Sequence, residues 1–386
     1  MKLIVMLHIL LLTISCSAAP TEKQEIPRNN MVNNMVNNMV NNMLKNLAKN
    51  TEPGVQYVVV TKDSTIFDGS AGLSNINKNS LLNSSHTMAA FSMTKTLTAI
   101  AILQLVERNK INLDDKLSDY ISHQYNPDVS IKHLLSHTAG IPNPIPLKWV
   151  HLAKNHADFD EQVALTKILN EHSESDEKVG VEYSYSNIGY WLLGKVIEKI
   201  SGITYSDYVI NNIFKVIGLN SNEIGFLIVN ENNHAKGYLK KWSFMNLLGR
   251  LFLDDNVLGE YEGSWLHIND VYLNGPSFGG AIGSATAFSK VLQDLLSEQS
   301  KLLTEKTKRL LYSQQKINSG ENIDMTLGWH IDKLSGITYY YKEGGGAGFH
   351  CEMRIYPDKD LASVIMTNKT SFNSRKILSE LDLKFL

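Results

Sequence analysis

The stretch AAFSMTKTLTAI, residues 89–100, sets Ser92 and Lys95 three residues apart at the front of a long apolar run. On a helix, side chains at i and i+3 share a face, so Lys95 can reach Ser92. A serine hydroxyl is a poor nucleophile until a neighbouring base takes its proton. A free lysine, with a pKa of about 10.4, serves as that base near neutrality only where burial or positive charge disfavours its ammonium form. An apolar helix start supplies the burial, and its first turn leaves backbone N–H groups free to hold an oxyanion. The spacing alone is a weak signal, because Ser175 with Lys178 and Ser313 with Lys316 repeat it. Those two pairs lie in acidic or polar stretches; only Ser92 opens an apolar helix.

Working outward, residues 55–61 and 64–71 read as two strands joined at Lys62-Asp63. Residues 351–356 and 361–367, divided by Pro357-Asp358-Lys359-Asp360, read as a second hairpin, and residues 374–385 as a closing helix. Between these ends the pattern is mainly helical: 94–108, 131–136, 159–172, 188–200, 205–216 and 285–297. The expected class is α+β: an antiparallel sheet built from both chain ends and flanked by helices, with a mainly helical region inserted in the middle.

Two further stretches carry polar groups at positions that matter. Tyr185-Ser186-Asn187 precedes an amphipathic helix ending at Ser201-Gly202, where Ser186 or Asn187 could equally be the N-cap. Lys342-Glu343-Gly344-Gly345-Gly346 lies beside the C-terminal strands; its glycines either let a ligand approach the backbone or form a mobile turn.

In this order the segments resemble the serine β-lactamase and DD-peptidase superfamily, specifically its class C β-lactamase-like hydrolases and esterases. Ser92-Met93-Thr94-Lys95 is similar to the first motif, Tyr185-Ser186-Asn187 to the Tyr-x-Asn motif, and Lys342-Glu343-Gly344 to the Lys-Thr-Gly or His-x-Gly motif. Supporting matches are HLLSHTAGI at residues 133–141, GPSFGGAIGSA at 275–285 and RIYPDKDLASVIMTN at 354–368. The resemblance implies a β-lactamase/transpeptidase-like fold, a Ser92 acyl-enzyme, and proton transfer shared by Lys95 and Tyr185. It further implies that Asn187 holds Lys95 and the substrate, and that Lys342 adds positive charge that lowers the pKa values of Tyr185 and Lys95. Gly344 and Gly345 would flank the substrate, with the N–H groups of Ser92 and Gly345 forming the oxyanion hole. His137 is expected to pack a loop. Glu343 departs from the usual threonine, and a carboxylate there would repel a substrate carboxylate.

The chain has 386 residues, 43% hydrophobic and 20% charged, enough for a large core. A formal net charge of −2 gives no basic excess for nucleic acid. Of the two cysteines, Cys16 and Cys351, the first lies in the leader, so no disulfide framework is expected; the twelve histidines show no metal-ligand spacing. No metal and no cofactor are expected. Residues 1–19 have the three parts of a secretory signal, with Cys16 in a lipoprotein-like box, and residues 20–46 read as a low-complexity Asn/Met-rich tether. The hydrolase domain is then 47–386, its α/β part at about 47–115 and 276–386 and its helical part at about 116–275.

The expected protein is an exported serine hydrolase, periplasmic or secreted, acting on a small-molecule or peptide ester or amide. The alternatives are a D,D-peptidase or weak β-lactamase, or a non-catalytic binding protein that keeps the fold. Two features leave a membrane contact open: lipidation of Cys16, and residues 239–253, LKKWSFMNLLGRLFL. In the latter, Phe244, Leu247, Leu248 and Leu251 follow the spacing of one helical face. That helix is either core or a lid over Ser92 that supplies an apolar acyl pocket or touches a membrane, with Lys240, Lys241 and Arg250 at its edge.

Overall fold

The computed structural model describes residues 28–49, 51–146, 148–174 and 178–386. The signal-like leader with Cys16, the start of the Asn/Met-rich stretch and Ser175 lie outside these residues. Six strands form the main sheet: β1 (Val55–Val60), β2 (Thr65–Ala71), β3 (His330–Leu334), β4 (Ile337–Gly346), β5 (Phe349–Tyr356) and β6 (Leu361–Thr367). Their order across the sheet is β3-β4-β5-β6-β1-β2, and every neighbouring pair is antiparallel. Apart from Gln56, β1 is Val and Tyr throughout and is buried on both faces, the composition that suits a central strand.

Helices cover both faces. On one side α2 (Thr94–Glu107) is buried from Thr94 to Leu105, and it packs with α3 (Asn187–Ser201) and α5 (Ala285–Leu296) into the larger apolar core. On the other side α1 (Arg28–Leu47) and α6 (Ser374–Asp382) share a second core with Tyr57, Phe67 and Tyr356. Most of the stretch read as a tether is therefore helical, and Val40 and Leu44 towards its end, with Ala48 just beyond it, are buried against the sheet. Met35 and Met39 face solvent.

A buried polar cluster ties the chain ends together. Arg354 Nε donates to Glu352 Oε1 at 2.6 Å, with Asp382 at 3.8 Å from its Nη1. Asp382 accepts from Tyr57, Tyr356 and Ser363 at 2.8, 2.6 and 3.0 Å. Strand β1, strand β6 and the last helix thus meet at one carboxylate.

Between α3 and α5 the chain builds a smaller layer that the sequence reading did not resolve. Three short strands, Gly237–Lys240, Leu258–Glu262 and Trp265–Ile268, pair antiparallel and carry α4 (Phe244–Phe252). Leu239, Val257, Leu266 and Ile268 form its own core.

Candidate active site

The site begins where the chain turns into α2. Ala89 bridges to Ile282, and the Ala90 N–H donates to Ala281 O at 2.9 Å, which fixes the approach. Phe91 then takes φ +43°, a left-handed conformation that costs energy for a residue with a Cβ, and opens a single 3-10 turn over Phe91–Met93. This turn presents Ser92 at the helix entrance while Lys95, one turn later, points along the same face. Strand β4 passes so close that a Cβ on Gly344 would stand 2.3 Å from Ala90 O and 2.9 Å from Ser92 N. Only glycine fits there. The glycine run read as a possible turn is the end of a ten-residue strand. β3 pairs with β4 only as far as Tyr341, so among the described residues the edge of β4 beyond it, opposite β5, has no partner strand. Ser92 and Gly345 line one cavity, the placement an oxyanion site shared by their N–H groups requires.

Lys95 has no exposed surface. Its Nζ lies 2.8 Å from Asn187 Oδ1, 2.7 Å from Phe278 O and 3.1 Å from Ser92 Oγ. The rings of Tyr185, Tyr190 and Phe278 surround it at 5.0–5.6 Å. Burial, and then the charge of Lys342, hold its pKa well below the ordinary lysine value. Three oxygens thus lie around Lys95 Nζ, and the lowered pKa favours its free amine, in which two N–H groups serve Asn187 and Phe278 and the nitrogen faces Ser92 Oγ. Tyr185 donates to the same Oγ at 2.8 Å.

Ser186 is the N-cap of α3, accepting from Gly189 N at 3.0 Å, which leaves Asn187 free to hold Lys95. Asn143, from the loop after His137, accepts from both the backbone N–H and Nδ2 of Asn187, each at 3.0 Å. Beneath lies His137, fully buried at φ +57°. Its Nδ1 accepts from Ser186 N at 3.1 Å, and its ring lies 4.3 Å from that of Tyr185. Burial keeps it neutral. It seats the Tyr-Ser-Asn turn and makes no contact with Ser92 among the described hydrogen bonds. Neither Asn143 nor the Phe278 carbonyl was singled out from the sequence.

Lys342 is buried, and its Nζ lies 5.1 Å from the Tyr185 ring centroid without a hydrogen-bond partner among the described residues. Burial brings its pKa down to about 7. The expected lowering of the Tyr185 pKa does not follow. Burial dominates and holds that hydroxyl well above its ordinary value, so Tyr185 is a phenol in the resting site.

Glu343 also differs from expectation. Side chains alternate along a strand, and Lys342 and Gly344 face Tyr185 and Ser92, so Glu343 belongs to the opposite face with Gly345 and His350. There its Oε1 pairs with His350 Nε2 at 2.9 Å. The repulsion expected of a carboxylate beside the substrate is removed by this alternation. Of the other Ser-x-x-Lys pairs, Ser313 donates to Leu310 O at 2.8 Å and stands apart from the site.

A cavity of about 310 Å3 opens beside Ser92. One wall is α4, whose Met245, Leu248 and Gly249 line it. The four-residue face expected for this helix is split: Leu248 turns inward, whereas Phe244, Leu247 and Leu251 are exposed at 71%, 55% and 65%.

Comparison with known proteins places this arrangement. A family model described as Beta-lactamase matches residues 39–384. Penicillin-binding protein 4* of Bacillus subtilis (strain 168) is 23% identical over 79% of this chain and 65% of its own length. The chain spans 33–65% of the length of the curated relatives it matches. Among solved structures, an octameric penicillin-binding protein homologue from Pyrococcus abyssi superposes with a TM-score of 0.71 at 20% identity, covering 91% of this chain and 77% of that one. A D-amino acid amidase from Ochrobactrum anthropi SV3 does so with a TM-score of 0.71 at 15% identity, covering 91% and 98%. Both share the fold.

Proposed function

The chain belongs to the beta-lactamase family, and on that premise we propose that it is an exported serine hydrolase of class C-like type that cleaves an ester or amide through an acyl-enzyme on Ser92. The observation that carries this reading is the continuous line of hydrogen-bond contacts from Tyr185 through Ser92 Oγ to a buried Lys95 amine. Export rests on the apolar stretch of residues 3–14.

In the acylation step Ser92 Oγ attacks the substrate carbonyl carbon while its proton passes to the Lys95 lone pair. The carbonyl electrons move onto oxygen, held by the N–H groups of Ser92 and Gly345. Collapse of the tetrahedral intermediate breaks the bond to the leaving group, which takes a proton from Tyr185. The Lys95 ammonium then gives its extra proton to the Tyr185 oxygen, which restores the phenol and the free amine. Because Tyr185 stays protonated at rest, it conveys protons and Lys95 is the base. Water repeats the sequence in deacylation. Asn187, fixed by Asn143, keeps the amine aimed at Ser92.

A D,D-peptidase or weak β-lactamase activity is the second reading, favoured by the name of the B. subtilis relative. Steady-state rates on p-nitrophenyl acetate, nitrocefin and a D-alanyl-D-alanine peptide separate the two. The first reading expects ester turnover to dominate and to vanish in Ser92→Ala. A dominant rate on the peptide selects the second, and ester turnover that survives Ser92→Ala overturns the proposed nucleophile.

A further inference from the structure

The cavity beside Ser92 specifies more about the substrate than the reaction does. Among the described residues, none of its lining side chains is ionisable, and its polar side chains are Ser92 itself, Asn187 and Thr370. Met245 and Leu248 of α4 line it, with Leu253 at the helix end and with Val150, Val271 and Leu273. At about 310 Å3 it is at the size where small-molecule pockets begin. A charged group drawn into it would lose its hydration without gaining a counter-ion, whereas each methylene would leave water for an apolar wall.

We propose that this cavity receives the acyl chain, and that the substrates are esters or amides of uncharged, medium-length apolar acids. The proposal rests on the Ser92 acyl-enzyme reading and narrows it. Position supports it: Ser92, Asn187 and the Gly345–Gly346 end of β4 all line the cavity, so a chain attached to a carbonyl at Ser92 lies at its wall and can enter it. α4 gates the length. Gly249 stands in its wall, and a Cβ there would meet Leu239 Cδ1 at 3.4 Å and Leu253 Cδ1 at 3.6 Å, ordinary contacts. The position therefore has room for a Cβ at the cavity wall, a longer side chain built from it is the means of shortening the cavity, and replacing a glycine inside a helix favours the helix.

The test is a chain-length series of p-nitrophenyl esters, acetate to octanoate, each below its micellar concentration, on the wild type and on Gly249→Leu. Burying one methylene is worth about fourfold in transition-state binding. The wild type is expected to raise kcat/KM for octanoate over acetate by on the order of 10²-fold, since several methylenes enter. Gly249→Leu should cut the octanoate value about tenfold or more, leave acetate within about twofold, and keep the melting temperature. Phosphonylation of wild-type Ser92 by an octylphosphonate p-nitrophenyl ester, faster than by the methylphosphonate, gives the same answer without a variant. Acetate turnover with no gain along the series, or equal losses on both esters in Gly249→Leu, overturns the acyl cavity while sparing the Ser92 reading. Hydrolysis of no ester at all overturns the reading beneath it.

Discussion

Lys95, the base of the proposed mechanism, owes its lowered pKa to a helix that starts inside the core: three aromatic rings and two fixed acceptors take the place of water around its amine, and Lys342 adds a like charge nearby. The sign of the second effect is testable. Burial brings the Lys342 pKa down to about 7, and wherever Lys342 is charged it holds the Lys95 pKa down. Lys342→Met removes that charge, the Lys95 pKa rises, and the free amine forms only at higher pH. The acid limb of kcat/KM on p-nitrophenyl acetate should therefore move to higher pH. A limb that stays in place, or moves to lower pH, would mean that Lys342 does not act on Lys95. Ser92 and Lys95 were legible in the sequence because their geometry is local, one turn of a helix. Asn143 was not, because it meets Asn187 across 44 residues of chain. The Phe278 contact is a backbone carbonyl, which every residue has.

Elements were legible where a period ran long enough to be counted. The two terminal hairpins and the helices α2, α3 and α5 stand close to where apolar spacing places them. Strand β4 was missed although Tyr339, Tyr340 and Tyr341 have strong strand preference, because the glycines that follow read as a turn. Glu343 was placed by the resemblance, at the position of the usual threonine, whereas alternation along the strand sets it on the face opposite Lys342 and Gly344. The Asn-rich repeat failed for the opposite reason. Asparagine is a poor helix former, and the four-residue period that allowed an amphipathic helix gives no sign of what would bury it; α1 is held by the repeat's own Val36, Val40 and Leu44 packed on the sheet. Leu44→Ala should accordingly cost about 2–5 kcal/mol, as for a buried leucine. Met35→Ala, at an exposed turn of the same helix, should stay within about 0.5 kcal/mol. Urea unfolding of both variants checks this; equal and negligible effects would return the segment to a tether.

Over the whole molecule, the nucleophile depends on both chain ends. β1 brings the segment leading to Ser92, β4 brings Gly344 and Lys342 against it, and the sheet order places β5 and β6 between these two strands. The Arg354, Glu352 and Asp382 cluster fastens the last helix beneath. On the proposed mechanism Ser92 is therefore activated only in the folded chain, where a strained turn, a buried amine and a glycine edge meet. Fluorophosphonate labelling followed by peptide mass spectrometry tests this most directly. Native protein should carry one label, on Ser92, and protein unfolded in urea should carry none. A label on Ser313 or another serine, or equal labelling of Ser92 in the unfolded chain, would contradict it.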